Sequence, residues 1–177
     1  TGTDFTISVA DADGGISGIN VRNNGTGALS ISTTGNISGG SQGIIAQNSS
    51  NSTDITISAV NVSGGNIAIE ATNNGTGALS ITSTGTVTGY GSRGISAANT
   101  GSALGDITIT TASVSGYNEG IYALNFGSGS ILVTSTGVVS GTEGINASNY
   151  SNLADDLAIS AAQVDGQRDG LSAYHAG

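Results

Sequence analysis

Asparagine returns along this chain at intervals of 24 to 26 residues: Asn23, Asn48, Asn73, Asn99, Asn125 and Asn149, with His175 in the seventh place. Four residues before each stands an aliphatic side chain: Ile19, Ile44, Ile69, Ile95, Ile121, Ile145 and Leu171. The slot before that holds Gly18, Gly43, Ala68, Gly94, Gly120, Gly144 and Gly170. A period of this length, held over the whole chain, describes stacked supersecondary units that each touch only their neighbours.

Each unit contains three strand-like runs. The first alternates aliphatic residues with Ser or Thr, as in Leu29-x-Ile31, Ile55-x-Ile57 and Ile107-x-Ile109, which puts the aliphatic groups on one face of a strand. The second centres on Ala12, Ile37, Val62, Val87, Val114, Val139 and Val164, each followed two residues later by glycine. The third reads Gly-Ile-x-Ala-x-Asn, as at residues 94–99. Three runs and three corners make one triangular coil. The predicted fold is all-β: a right-handed parallel β-helix (a β-solenoid) of about seven triangular coils of ~25 residues, rising ~4.8 Å per coil. A left-handed helix of hexapeptides needs a six-residue period, and the sequence has none. Glycines at the corners are expected to supply positive φ or close backbone approach.

A second period of about 50 residues overlies the first. Thr3-Asp4-Phe5-Thr6-Ile7-Ser8 returns as Thr53-Asp54-Ile55-Thr56-Ile57-Ser58, and residues 23–29 return unchanged as 73–79. Coils therefore alternate between two types, which differ by one residue between the first and second runs and by the loop after the Asn. The loops from Asn99 to Ile107 and from Asn149 to Leu157 are the longest, and Leu153 interrupts the polar pattern of the latter. That corner is where a lateral binding feature is expected. No linker divides residues 1–177, which read as a single β-helix segment. Neither end looks like a cap, so the expectation is an uncapped fragment of something longer.

Composition narrows the partners. Twelve acidic residues against three arginines and no lysine give a net charge of −9, which argues against nucleic acid and anionic membranes. Cysteine is absent, so thiol chemistry is excluded. No apolar run approaches a membrane-spanning length, so no membrane insertion by this segment is expected, and the first residues do not read as a signal peptide.

The succession Gly-Ile-x-Ala-x-Asn, then Gly-x-Gly, then Leu-x-Ile-x-Ser-Thr-Gly-x-Val-x-Gly resembles repeats in passenger domains of bacterial autotransporters (type V secretion). Residues 118–149 carry it well: Glu119-Gly120-Ile121-Tyr122-Ala123, Asn125, Ser135-Thr136-Gly137, Val139-Ser140-Gly141 and Gly144-Ile145-Asn146-Ala147. The resemblance covers nearly the whole chain. It implies a secreted β-helix displayed at the bacterial cell surface from the outer membrane, acting as adhesin, autoaggregation surface or stalk. It assigns no residue beyond a structural role.

The candidate sites follow from the files. Asn23, Asn48, Asn73, Asn99, Asn125 and Asn149 are expected to form a structural ladder, each amide donating to the Asn of the next coil from a corner that tolerates left-handed backbone. His175 reads as a substitute in that ladder. Thr6, Ser8, Ser30, Ser32, Thr56, Ser58, Ser80, Thr82, Thr108 and Thr110 are expected to form two outward files on one flat face, a possible surface array. Leu132 and Ala158 interrupt one file. Flat Thr-x-Thr files suggest ice binding as one alternative. Clustered acids at Asp155, Asp156, Asp165 and Asp169 suggest a polysaccharide-cleaving β-helix as another, but their runs differ and they should point from different faces. Asp11-x-Asp13-Gly14 hints at calcium, but only once. The exposed aromatic residues Tyr90, Tyr117, Tyr122, Phe126, Tyr150 and Tyr174 are of a kind that stacks on sugars, but they are too few to define a groove from the sequence. The expected function is non-enzymatic, without catalytic, metal or cofactor-binding residues. The segment would be a rigid stalk or adhesive surface whose partner is a second copy, a host surface or a carbohydrate.

Overall fold

The computed structural model describes residues 3–100 and 105–177. In coil one, β1 (Phe5–Val9), β2 (Ala12–Gly14) and β3 (Ser17–Asn23) follow the three sequence runs. Coil two holds β4 (Leu29–Thr33), β5 (Asn36–Gly39) and β6 (Gln42–Asn48), and coil three holds β7 (Ile55–Ala59), β8 (Asn61–Gly64) and β9 (Ile67–Asn73). From coil four the first corner is itself extended. There β10 (Leu79–Gly89) precedes β11 (Arg93–Asn99), and in coil five β12 (Ile107–Gly116) precedes β13 (Glu119–Asn125). Coils six and seven are each one bent strand, β14 (Ile131–Asn149) and β15 (Leu157–His175). The chain is thus a parallel β-solenoid of about 7 turns, all β among the described residues.

Every pairing is parallel and joins equivalent positions of consecutive coils. On the first face Leu29 lies beside Phe5 and Ile55. On the second, Val62 lies beside Ile37 and Val87. On the third, Ile69 lies beside Ile44 and Ile95. The reason is the one that makes a parallel sheet need burial: a strand whose aliphatic side chains all turn inward is stable only when like side chains cover it from above and below. Leu29, Ile31, Ile55, Ile57, Leu79, Ile81, Ile107 and Ile109 are completely buried. Each such side chain contributes ~1.5–3 kcal/mol relative to exposure.

The two coil types have a physical basis. Register slips between the first and second faces at Ser83/Thr86, Thr111/Val114 and Ser135/Val138. One coil carries an extra residue at that corner and the next does not, and the mismatch is absorbed as a bulge.

Of the two reasons expected for the glycines, positive φ and close backbone approach, only the second holds. None of the described glycines, and no described residue of any other type, has positive φ. Close approach is what requires them. A Cβ on Gly43 would lie 2.5 Å from Val62 Cγ1 and 2.7 Å from the carbonyl oxygen of Ala68, both in the next coil. A Cβ on Gly120 would meet Val139 Cγ1 at 2.7 Å in the same way.

Candidate functional site

The asparagines stack in register through the first six coils, and His175 lies beside Asn149 in the seventh. They are buried, with Asn73, Asn99, Asn125 and Asn149 at 0% exposure, while His175 is exposed. Their hydrogen bonds are not the expected amide-to-amide chain. Asn73 Nδ2 donates to Gly77 O at 2.8 Å, and its Oδ1 accepts from Gly75 N at 3.0 Å. Asn23 and Asn125 make the same pair of bonds within Asn-x-Gly-x-Gly loops. The side chain mimics a turn of backbone and closes its own loop, as Asn does in Asx-turns.

The longer loops alternate with these and use the amide differently. Asn48 Nδ2 donates to Thr53 O at 3.2 Å and Asp54 O at 2.8 Å, and Asn99 Nδ2 donates to Gly105 O at 2.9 Å. Asn149 reaches back one coil to Gly129 O at 3.0 Å. In these three the Oδ1 is buried without a partner among the described residues. The file is therefore a column of loop clamps, strong and weak by turns. Of the long loops, residues 101–104 in the Asn99–Ile107 loop lie outside the described residues. Leu153, in the other, is 74% exposed.

An amide chain between coils does exist, at a place the sequence reading missed. Asn61 Nδ2 donates to Asn36 Oδ1 at 3.0 Å, Asn36 N donates to Asp11 Oδ1 at 2.6 Å, and Thr86 N donates to Asn61 Oδ1 at 2.9 Å. The 25-residue spacing of Asp11, Asn36, Asn61 and Thr86 was visible, but nothing in the sequence distinguished it from other polar columns.

The Ser/Thr array has the expected register. Thr6, Ser30, Thr56, Ser80 and Thr108 form one file that continues into Leu132 and Ala158. Ser8, Ser32, Ser58, Thr82 and Thr110 form the other. All ten are exposed or half-buried. Leu132, 42% exposed, breaks the hydroxyl file with an apolar group.

Most of the carboxylates have local structural work. Asp4, Asp54 and Asp106 stand two coils apart, and each Oδ1 accepts a backbone N–H from the coil above: Ala28 at 2.9 Å, Ala78 at 2.7 Å and Ser130 at 2.7 Å. Asp13 Oδ1 accepts from Ser38 Oγ at 2.5 Å, so Asp11 and Asp13 bond to separate groups of coil two. Asp156 precedes the first run of its coil, Asp165 belongs to the second face and Asp169 to the third. Asp165 accepts from Gln163 Nε2 at 3.0 and 2.9 Å. Glu119, Glu143 and Asp169 are neighbours in one file. Arg93 pairs with Glu119 at 3.1 Å, and Arg168 pairs with Glu143 and, at 3.1 Å, with Asp169.

The aromatic residues divide into three groups. Arg93 lies 3.9 Å over the ring of half-buried Tyr122. Phe126 and Tyr150 stack at 5.2 Å with ring planes 15° apart, and Tyr174 follows Tyr150 at 5.4 Å. These rings engage one another in a column, which leaves less ring surface for stacking on sugars. Tyr90 and Tyr117 are each 68% exposed.

No protein-family model, curated protein or solved structure matches this chain.

Proposed function

We propose that this chain is a non-enzymatic passenger segment of a secreted bacterial surface protein, serving as a rigid stalk or as an adhesive and autoaggregating surface. One observation carries this reading: the in-register pairing of coils runs unbroken from coil one to coil seven and leaves repeated polar files outside. Such a rod holds many equivalent groups at fixed spacing, so individually weak contacts to a second copy, a host surface or a carbohydrate multiply along it. The repeat resemblance to autotransporter passengers supports display at the bacterial cell surface.

Beads carrying residues 1–177 at known density provide the test. Adhesion of the beads to cell monolayers or to one another, above that of beads bearing an unrelated protein of equal charge, is the expected result. Inert beads reduce the role to that of a stalk. Release of reducing or unsaturated ends from acidic polysaccharides, abolished by Asp156→Ala or Asp165→Ala, would instead establish the cleaving enzyme.

Ice binding has one observation in its favour, the in-register hydroxyl files of the first face. Thermal hysteresis clearly above buffer, lost in Thr56→Leu, would support it. The apolar interruption at Leu132 weighs against it.

A further inference from the structure

Three hollows adjoin along the second face. One of about 340 Å³ is lined by Asn36, Asn61, Thr86, Thr88 and Tyr90, among others. The next, about 150 Å³, shares Thr86 and Thr88 with it and extends to Ser140. The third, about 510 Å³, shares Ser140 and reaches Tyr117 and Asp165. Their shared residues join them into one shallow channel along the solenoid axis, from coil two to coil seven.

We propose that this channel binds a linear, uncharged glycan. The inference rests on the adhesive reading above and names the ligand class and the face that takes it. The floor presents hydroxyl and amide groups from successive coils, which exchange hydrogen bonds with sugar hydroxyls. Part of that floor is held in place by the Asn61–Asn36 bond at 3.0 Å and the Thr86–Asn61 bond at 2.9 Å, so little is lost in ordering it. Tyr90 and Tyr117 follow Gly89 and Gly116 at equivalent corner positions of coils four and five. Unlike the Phe126–Tyr150–Tyr174 column, neither engages another ring among the described residues, so their faces are free for the apolar face of a pyranose.

Other linear polymers fit less well. From coil two to coil six the second-face strands are paired on both edges, so a peptide lying along the channel cannot join them as an added strand. A polyanion finds no cation: Arg22 and Arg93 belong to third-face strands, Arg168 pairs with Glu143 and Asp169, and the one carboxylate lining the channel is Asp165. The coil rise of ~4.8 Å is close to the rise of one ring in an extended glycan, so successive rings meet successive rungs of the floor, which are polar except at Val138.

Native electrophoresis of residues 1–177 through gels containing a panel of neutral α- and β-linked glycans tests this. Polygalacturonate gels and an immobilised unfolded-peptide probe run in parallel. At least one neutral glycan should retard the chain. The double variant Tyr90→Ala/Tyr117→Ala should bind it roughly tenfold more weakly, the scale of losing aromatic anchors. Its thermal melt should be unchanged, because both rings are largely exposed. Retardation by no neutral glycan, binding confined to polygalacturonate or to the peptide, or equal retardation of the two proteins overturns the proposal. Bead adhesion separates the two readings: beads of the double variant that adhere as well as the parent leave the adhesive reading standing and remove only the groove.

Discussion

At the scale of single residues, the asparagine column shows how one residue type fills a repeated slot in two ways. Asn73 satisfies two backbone groups of its loop, Gly75 N and Gly77 O, from a fully buried position. Asn48 donates to two carbonyls, but its own Oδ1 has no partner among the described residues. One of those carbonyls, Asp54 O, also accepts from Leu29 N at 2.9 Å. Truncation of Asn73 therefore orphans a buried donor and an acceptor, and each such loss costs about 1–3 kcal/mol. Truncation of Asn48 leaves fewer groups stranded and removes an existing deficit. Asn73→Ala is expected to lower stability by at least about 1 kcal/mol more than Asn48→Ala, measured by urea unfolding followed by circular dichroism. Equal losses would mean that the column acts by stacking alone. The difference could not be read from the asparagines themselves, which are identical in sequence. It lies in the loop, where Asn-x-Gly-x-Gly allows the turn to close in six residues and the longer loops do not.

Among the elements, the aliphatic files were the most legible part of the fold. Period-two alternation within a run and a 25-residue period between runs leave one register that buries Ile31, Ile57 and Ile81 together, and a slip of one residue would expose all three. Polar columns were less legible because hydrogen bonding is directional and depends on loop length, to which a list of spacings is blind. Hence the amide chain through Asn36 and Asn61 was missed, and so was the alternating aspartate column at Asp4, Asp54 and Asp106. The glycine file was legible in position, and its cause was narrowed to two. In sequence it reads as needing either positive φ or close backbone approach, and the structure decides for the second: it marks where the third-face strand passes over the second-face valine of the next coil. Ala68 is the instructive exception, fully buried in the same file and tolerated at that one coil. Gly120→Ala places a methyl 2.7 Å from Val139 Cγ1 and from Gly144 O. Overpacking of this kind costs typically 1–3 kcal/mol. Ala68→Gly should lose less, about 0.5–1 kcal/mol, from added chain freedom. Thermal melts of the two variants check the order; a Gly120→Ala protein as stable as the parent would show that the coils can part without penalty.

For the whole molecule, charge sets the terms of any contact between copies. The chain carries a net charge of −9, and two of its three arginines are engaged with carboxylates of the same chain. Two such rods side by side repel along their length, while the hydroxyl files that would touch offer only weak, repeated hydrogen bonds. Lateral association should therefore grow as salt is added, because the Debye length falls from about 30 Å at 0.01 M to about 8 Å at 0.15 M and screens the repulsion before it weakens uncharged contacts. Sedimentation velocity at fixed protein concentration is expected to show average mass rising across that range. A fall in mass with salt would mean that ion pairs between Arg22 and a neighbouring copy's carboxylates hold the rods together, and the hydroxyl files would then have no part in it. A single monomeric species at every salt and protein concentration would remove self-association and leave a foreign surface as the partner, which makes the channel of the second face the first place to look.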